Sequence, residues 1–181
     1  ENGNIFVGNN MTINNYGQGP DITFPVSNCY EPVQCYWPRK KVDDEIKNVK
    51  KGKPKILRGT PGTGKTFAAL HYIVSNKKKF AISWIIDVSG KDKFSNSLKG
   101  LAVELHVEYD DLFNEITQIS QDKKVIFLLD GVAENARTFK RFEKLWDIRR
   151  SVYIIMTTNN PSLDFPDAKQ LEVEKFDEAL D

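Results

Sequence analysis

KILRGTPGTGKTFAALHYI, Lys55 to Ile73, is the stretch whose reading decides the fold. Its centre, GTPGTGKT from Gly59 to Thr66, follows the spacing Gly-x-x-x-x-Gly-Lys-Ser/Thr, which chance composition would place in well under about one chain in fifty of this length. KILR before it reads as a short apolar strand. KTFAALHYIVSN after it predicts a helix with Phe67, Leu70, Ile73 and Val74 turned inward. A glycine-rich loop between strand and helix suits phosphate. Gly59, Gly62 and Gly64 let backbone N–H groups approach phosphate oxygens at a helix N-terminus, whose dipole favours an anion. Lys65 is the cation for the β- and γ-phosphates of a nucleotide, and Thr66 offers a hydroxyl to Mg²⁺. Thr60, Pro61, Thr63 and Phe67 complete the candidate contacts of this segment.

Such a site needs an acid at the end of a buried strand. VIFLLD supplies it in Asp130, a candidate to face Mg²⁺ directly or through water. A further strand, VYIIMTT, is expected between these two and delivers Thr157, Thr158 and Asn159 towards the γ-phosphate position.

Around these three strands the pattern alternates. RKKVDDEIKNVKK, with Val42, Ile46 and Val49 at steps of four and three, predicts a short amphipathic helix. FAISWIIDV is a near-continuous apolar strand, FSNSLKGLAVEL and DDLFNEITQIS are helical, and QLEVE is a last short strand. NARTFKRFEKLWDI predicts one helix with Phe139, Phe142 and Trp146 on its inner face and basic residues on its outer one. Apolar strands separated by helices mean an α/β fold of three layers, with a mainly parallel, five-stranded sheet covered on both sides.

Composition sets bounds. With 181 residues the chain can build one sizeable core. Its 26 basic and 25 acidic residues leave no global field to argue for nucleic acid or an anionic membrane. Lysine is concentrated locally, in KNVKKGKPK and NKKKF. Cys29 and Cys35, with no His nearby, read as reduced thiols rather than a zinc site. No apolar run approaches the roughly 20 residues of a membrane span, so the chain reads as soluble and cytoplasmic.

Several segments together, YWPRKKVDDEI, KILRGTPGTGKTFAALHYI, SWIIDVS, VIFLLDG, VYIIMTTNN and QLEVEKFDEAL, resemble the P-loop NTPase domain of the NB-ARC and NACHT signal-transduction ATPases. The resemblance covers Tyr36 to Asp181. It implies bound ATP or ADP with Mg²⁺, slow ATPase activity and homo-oligomerisation on activation. WPR looks like the family's Val-x-Arg element, which assigns Trp37 and Arg39 to the adenine and nucleotide. DGVAE at 130–134 is closest to the NACHT pattern Asp-Gly-x-Asp-Glu. Ala133 replaces one acid there, leaving Glu134 to orient water as a general base. The family's sensor motif ends Thr-Thr-Arg, whereas MTTNN has Asn159 in place of the Arg. An amide can hydrogen-bond a phosphate without neutralising it, so weak hydrolysis or weak discrimination of ATP from ADP is expected. The first residue is Glu, and the chain stops at FDEALD where the family continues into a helical lid, so a fragment of a longer receptor is expected.

The organisation that follows is a tail at 1–20, a linker at 21–36 and the nucleotide-binding domain at 37–181. The tail, ENGNIFVGNNMTINNYGQGP, has six Asn and neither Lys nor Arg. Its apolar residues, interleaved with Asn, suit stacked in-register strands. It resembles the amyloid motif of the necroptosis kinases, Val-x-Val-Gly-x-x-Asn, through Ile5, Val7 and Gly8. A disordered leader is the other reading. Attached to a switch ATPase, the tail would be the part that engages a downstream signalling protein. Two other functions stay open: an AAA-like motor or loader, and an assembly protein in which nucleotide is structural.

Overall fold

The computed structural model describes residues 22–31, 36–165 and 167–175; the expectations for residues 1–20 lie outside them. The strands are β1 (Val26–Ser27), β2 (Lys55–Arg58), β3 (Ile82–Asp87), β4 (Val125–Asp130), β5 (Tyr153–Thr158) and β6 (Lys169–Glu172). Between them run α1 (Lys40–Lys47), α2 (Lys65–Ser75), α3 (Lys91–Glu104), α4 (Leu112–Asp122) and α5 (Phe142–Asp147). One sheet takes the strands in the order β1-β3-β4-β5-β2-β6, with every neighbouring pair parallel.

The sheet therefore has six strands rather than the expected five. The extra strand is β1, from the segment read as linker. Val26 and Ser27 pair with Ile82 and Ser83, the Val26 N–H donates to the Ala81 carbonyl at 2.8 Å, and the Val26 side chain is buried. Two residues are too few to show a period of two.

Alternation along the strands explains the three layers. On β4, Val125, Phe127 and Leu129 join a core that also holds Phe94 and Leu98 of α3, Ile116 of α4 and Leu145 of α5. Ile126 and Leu128 join the opposite core, with Val42 and Ile46 of α1 and Ala68, Ala69 and Ile73 of α2. Both faces are covered, so the strand needs no polar residue until its end. The same alternation carries Asp130 of β4, Thr157 of β5 and Asp87 of β3 to the α2 side at the carboxyl ends of the strands.

Helix α1 buries Val42 and Ile46 as its spacing predicts. Glu45 ties it to the sheet, accepting from Lys55 Nζ at 2.8 Å and from Lys169 Nζ at 2.7 Å. Those two ammonium groups, Lys169 first, hold the Glu45 carboxyl down at about 2. The Glu45 carboxylate in turn gives the buried Lys55 side chain its counter-charge. Helix α2 buries Leu70 and Ile73 as expected but not Phe67, and Val74 is half-buried. Its inner face is Lys65, Ala68, Ala69, Leu70 and Ile73, and Phe67 is 40% exposed.

The helix expected across 135–148 is broken. Arg141 sits at φ 74°, dividing a 3₁₀ turn at Ala136–Thr138 from α5. Its guanidinium lies 4.0 Å over the Tyr109 ring and pairs with Asp110. Those contacts hold a residue in a conformation that costs a non-glycine side chain of order 1–3 kcal/mol. Phe139 and Phe142 still reach the core, each about 6 Å from the Phe94 ring. Arg149 pairs with Asp167 at 3.0 Å, and Arg137 lies over the Phe165 ring at 4.4 Å. Three cations of the expected solvated face are thus structural ties. Among the described residues no helix is long and apolar enough to cross a membrane.

Candidate functional site

β2 hydrogen-bonds β5 on one side and β6 on the other, while its successor β3 lies beyond β5 and β4. The chain thus reverses direction across the sheet at β2, and a crevice opens at the carboxyl ends of such strands. The Gly59–Thr66 loop sits in it.

Close approach fixes the loop's first glycine. A Cβ at Gly59 would stand 2.3 Å from the Val173 carbonyl oxygen and 3.1 Å from Thr63 Oγ1. At the loop's end, Gly64 takes φ 79° and hands over to α2 at Lys65. A Cβ there would meet Arg39 Nη2 at 3.7 Å. Arg39, distant in sequence, is therefore beside the loop, where it also donates to the Glu174 carbonyl at 3.0 Å. Trp37 is 71% exposed.

Lys65 is buried, with Nζ donating at 2.8 Å to the carbonyls of Gly59 and Thr60 and reaching Thr63 Oγ1 at 3.3 Å. Burial pushes its pKa below the ordinary lysine range, against the pull of the Asp130 and Glu172 carboxylates. Its ammonium is thus enclosed by the loop's own carbonyls.

The acidic centre is compact. Thr66 Oγ1 and Thr157 Oγ1 each donate to Asp130 Oδ1 at 2.6 Å, and Thr157 Oγ1 accepts the Gly131 N–H at 2.9 Å. One atom of α2, one of β4 and one of β5 are thereby joined. Thr158, on the opposite face of β5, is buried with its hydroxyl donating to the Val132 carbonyl at 2.9 Å. The hydroxyl delivered to the acid is that of Thr157, one of the three residues expected at this strand's end. Asn159 is exposed at the rim.

Together these residues line a cavity of about 380 Å³, bordered by Pro61, Gly62, Gly64 to Phe67, Asp130, Gly131 and Thr157 to Asn159. Its volume falls in the range of small-molecule sites. Glu134 is not among the lining residues and is exposed in the turn after β4. Gly131, at φ 68°, takes the place beside Asp130.

Asp87 escaped the sequence reading. It ends β3 directly opposite Asp130 in the register. Its Oδ1 accepts from both the N–H and the hydroxyl of Ser89, at 3.0 and 2.6 Å, and Lys93 lies 3.5 Å from Oδ2. Burial opposes its ionisation, but Ser89 and Lys93 outweigh that and hold the carboxyl below its usual range. The signal was present in SWIIDV, a second apolar strand closing on Asp.

The parallel order, with the loop-bearing strand separated from the Asp-bearing strand by one other, decides the architecture. This is a P-loop NTPase fold.

No protein-family model matches the chain, and no curated protein matches it. Among solved structures it is similar to PCH-2 of C. elegans, at 21% identity and a TM-score of 0.39 over 73% of this chain and 40% of that one. It is similar to the replication initiator DnaA, in a complex with AMPPCP and single-stranded DNA, at 21% identity and a TM-score of 0.39 over 74% of this chain and 44% of that one. A chain of the HORMA:CdnC:Trip13 complex of E. coli MS115-1 is similar at 17% identity and a TM-score of 0.38, over 75% of this chain and 48% of that one. The chain thus spans less than half the length of each.

Proposed function

We propose that the chain binds ATP and ADP with Mg²⁺ beneath the Gly59–Thr66 loop and acts as a slow signalling switch of the NB-ARC or NACHT type. The observation that carries the nucleotide part is the cluster in which Thr66 and Thr157 converge on Asp130 beside the buried Lys65. Mg²⁺ takes one or two protein ligands and keeps waters. A hydroxyl and a carboxylate already 2.6 Å apart fit that donor set. In this reading Thr66 and Asp130 hold the metal, and Thr157 orients Asp130. Bound Mg²⁺ supplies charge neutralisation at the β- and γ-phosphates. Gly59 to Gly64 offer backbone N–H groups, and the Lys65 ammonium exchanges loop carbonyls for phosphate oxygens. Trp37, Arg39 and Phe67 flank the nucleoside end, and Asn159 closes the rim.

Slow turnover has its own support. Gly131 contributes no second carboxylate beside Asp130, Glu134 would have to orient water from an exposed turn, and Asn159 cannot neutralise a phosphate. A long-lived nucleotide state suits a switch. The resemblance of the sequence to the signalling ATPases then supplies the role. Exchange of nucleotide drives homo-oligomerisation, which gathers the residue 1–20 segments at high local concentration. Gathered, they nucleate a downstream partner in innate immunity or programmed cell death.

The test is to denature purified protein and measure what it releases. Stoichiometric ADP supports the switch. An empty site with rapid phosphate release points to an AAA-like motor or loader, and turnover equal to that of Lys65→Ala leaves nucleotide a structural role. For the tail, a peptide of residues 1–20 should form thioflavin-positive fibres that Val7→Asp abolishes. A wild-type peptide that stays soluble at high concentration removes that part of the proposal.

A further inference from the structure

At the opposite end of the sheet from the phosphate loop, where β3 and β4 begin, lies a second and larger cavity of about 640 Å³. Five of its lining residues are lysines, Lys77, Lys78 and Lys79 after α2 and Lys123 and Lys124 after α4, against one acid, Asp122. All five are exposed, and none of them forms an ion pair with an acid of the described residues. The Ala81 N–H donates to the Lys124 carbonyl at 2.8 Å, so the two lysine runs are stitched together by backbone. Each run follows a helix C-terminus, where a cation is favourable. The helix dipoles account for either run alone, but not for the convergence of both on one concavity in a chain of net charge +1.

We propose that this cleft binds clustered phosphate groups, as carried by a soluble polyphosphorylated small molecule or by a phosphorylated lipid headgroup. Lysine holds phosphate as a flexible point charge, and several converging on one volume suit an anion of high charge density. Shape favours a compact ligand over a nucleic acid strand. The volume is that of a small-molecule site, and the lysines surround a hollow instead of running along a stripe. The half-buried ring at its edge, Phe24, is already met by Lys123 Nζ at 5.4 Å from its centroid. A base would have to displace that ammonium to stack there. Helix α2 begins at Lys65 and ends at Ser75, two residues before Lys77. It therefore joins the two sites by one rigid element about 16 Å long.

The experiment titrates the full chain with inositol hexakisphosphate, with vesicles of phosphatidylcholine with or without a phosphoinositide bisphosphate, and with a single-stranded oligonucleotide. Each titration is repeated in a Lys65→Ala background, which removes the phosphate loop's cation and separates this cleft from the nucleotide reading. Expected is binding of the inositol phosphate that persists in Lys65→Ala and falls about tenfold or more in Lys78→Glu/Lys124→Glu. The control Lys140→Glu/Lys144→Glu should bind as wild type. Vesicle binding that depends on the phosphoinositide and is lost in the same double variant assigns the source to lipid; its absence assigns it to a soluble anion. Inositol phosphate binding that the double variant leaves unchanged, or that disappears with Lys65→Ala, overturns the proposal. So does a double variant that loses only the oligonucleotide.

Discussion

Gly59→Ala tests the loop geometry most directly. The new methyl would stand 2.3 Å from the Val173 carbonyl oxygen, a backbone atom that cannot swing aside as a side-chain tip would. Val173 is itself fixed, 1% exposed and with its N–H donating to the Arg58 carbonyl at 2.7 Å. Relief therefore means parting the end of β6 from β2 or lifting the loop. Overpacking of this kind costs about 1–3 kcal/mol. The φ of +154° at Gly59 adds strain of about 1–3 kcal/mol, for a total of about 2–6 kcal/mol. Gly62→Ala is the control, because Gly62 has φ 82° and nothing within 4 Å of its missing Cβ. It carries only the backbone term, about 1–2 kcal/mol. In a chain of this size each kcal/mol moves Tm by about 2–4 °C. Thermal unfolding followed by circular dichroism, with urea midpoints as a second measure, should show Gly59→Ala melting well below Gly62→Ala. Equal midpoints for the two variants, or a Gly59→Ala protein as stable as wild type, would refute the reasoning.

Thr157→Val removes a donor to Asp130 and should weaken Mg²⁺-dependent nucleotide binding about tenfold. Thr158→Val loses a bond on the other face of β5, so it should cost about 1–2 kcal/mol of stability and leave the Mg²⁺ dependence unchanged; fluorescent-nucleotide titrations with and without Mg²⁺ separate the two. Glu45→Gln should change the pH dependence of folding. Because the Glu45 carboxyl is held down from 4.5 to about 2, its contribution is present above 4.5 and is lost as pH falls towards 2. Urea midpoints of wild type and variant should accordingly differ at pH 7 and converge in acid. Ile46→Ala, at a position 1% exposed between α1 and the sheet, should cost about 2–4 kcal/mol. The neighbouring exposed Lys47→Ala should stay within about 0.5 kcal/mol of wild type.

Much of the site was legible because its residues are consecutive. The Gly59–Thr66 loop is a local turn whose glycines and lysine lie within eight consecutive residues, so it appears intact in the chain. The strands KILR, VIFLLD and VYIIMTT were legible for a different reason. Covered on both faces, VIFLLD and VYIIMTT carry no charged residue until they end, and KILR is apolar between its terminal charges. Edges and interruptions were less visible. The two-residue β1 has no room for a period, and the break at Arg141 depends on Tyr109 and Asp110, some thirty residues earlier. Phe67 looked like an inward helix residue because α2 reads as apolar on several sides, whereas small Ala68 and Ala69 are what lie against the sheet.

By itself, then, the sequence determined the class of fold, the loop, its lysine and the acid at Asp130, since each follows from local spacing or from unbroken burial. Tertiary structure decided which face each strand presents. That choice brings Thr157 rather than Thr158 to Asp130, sets Asp87 beside it, carries Arg39 to the loop and leaves Glu134 outside the cleft. It also gathers two separate lysine runs into one hollow. Side-chain direction in a sheet reverses with every residue, and neighbours across it are set by register. A shift of one position therefore exchanges a ligand for a core residue, and linear spacing does not record it.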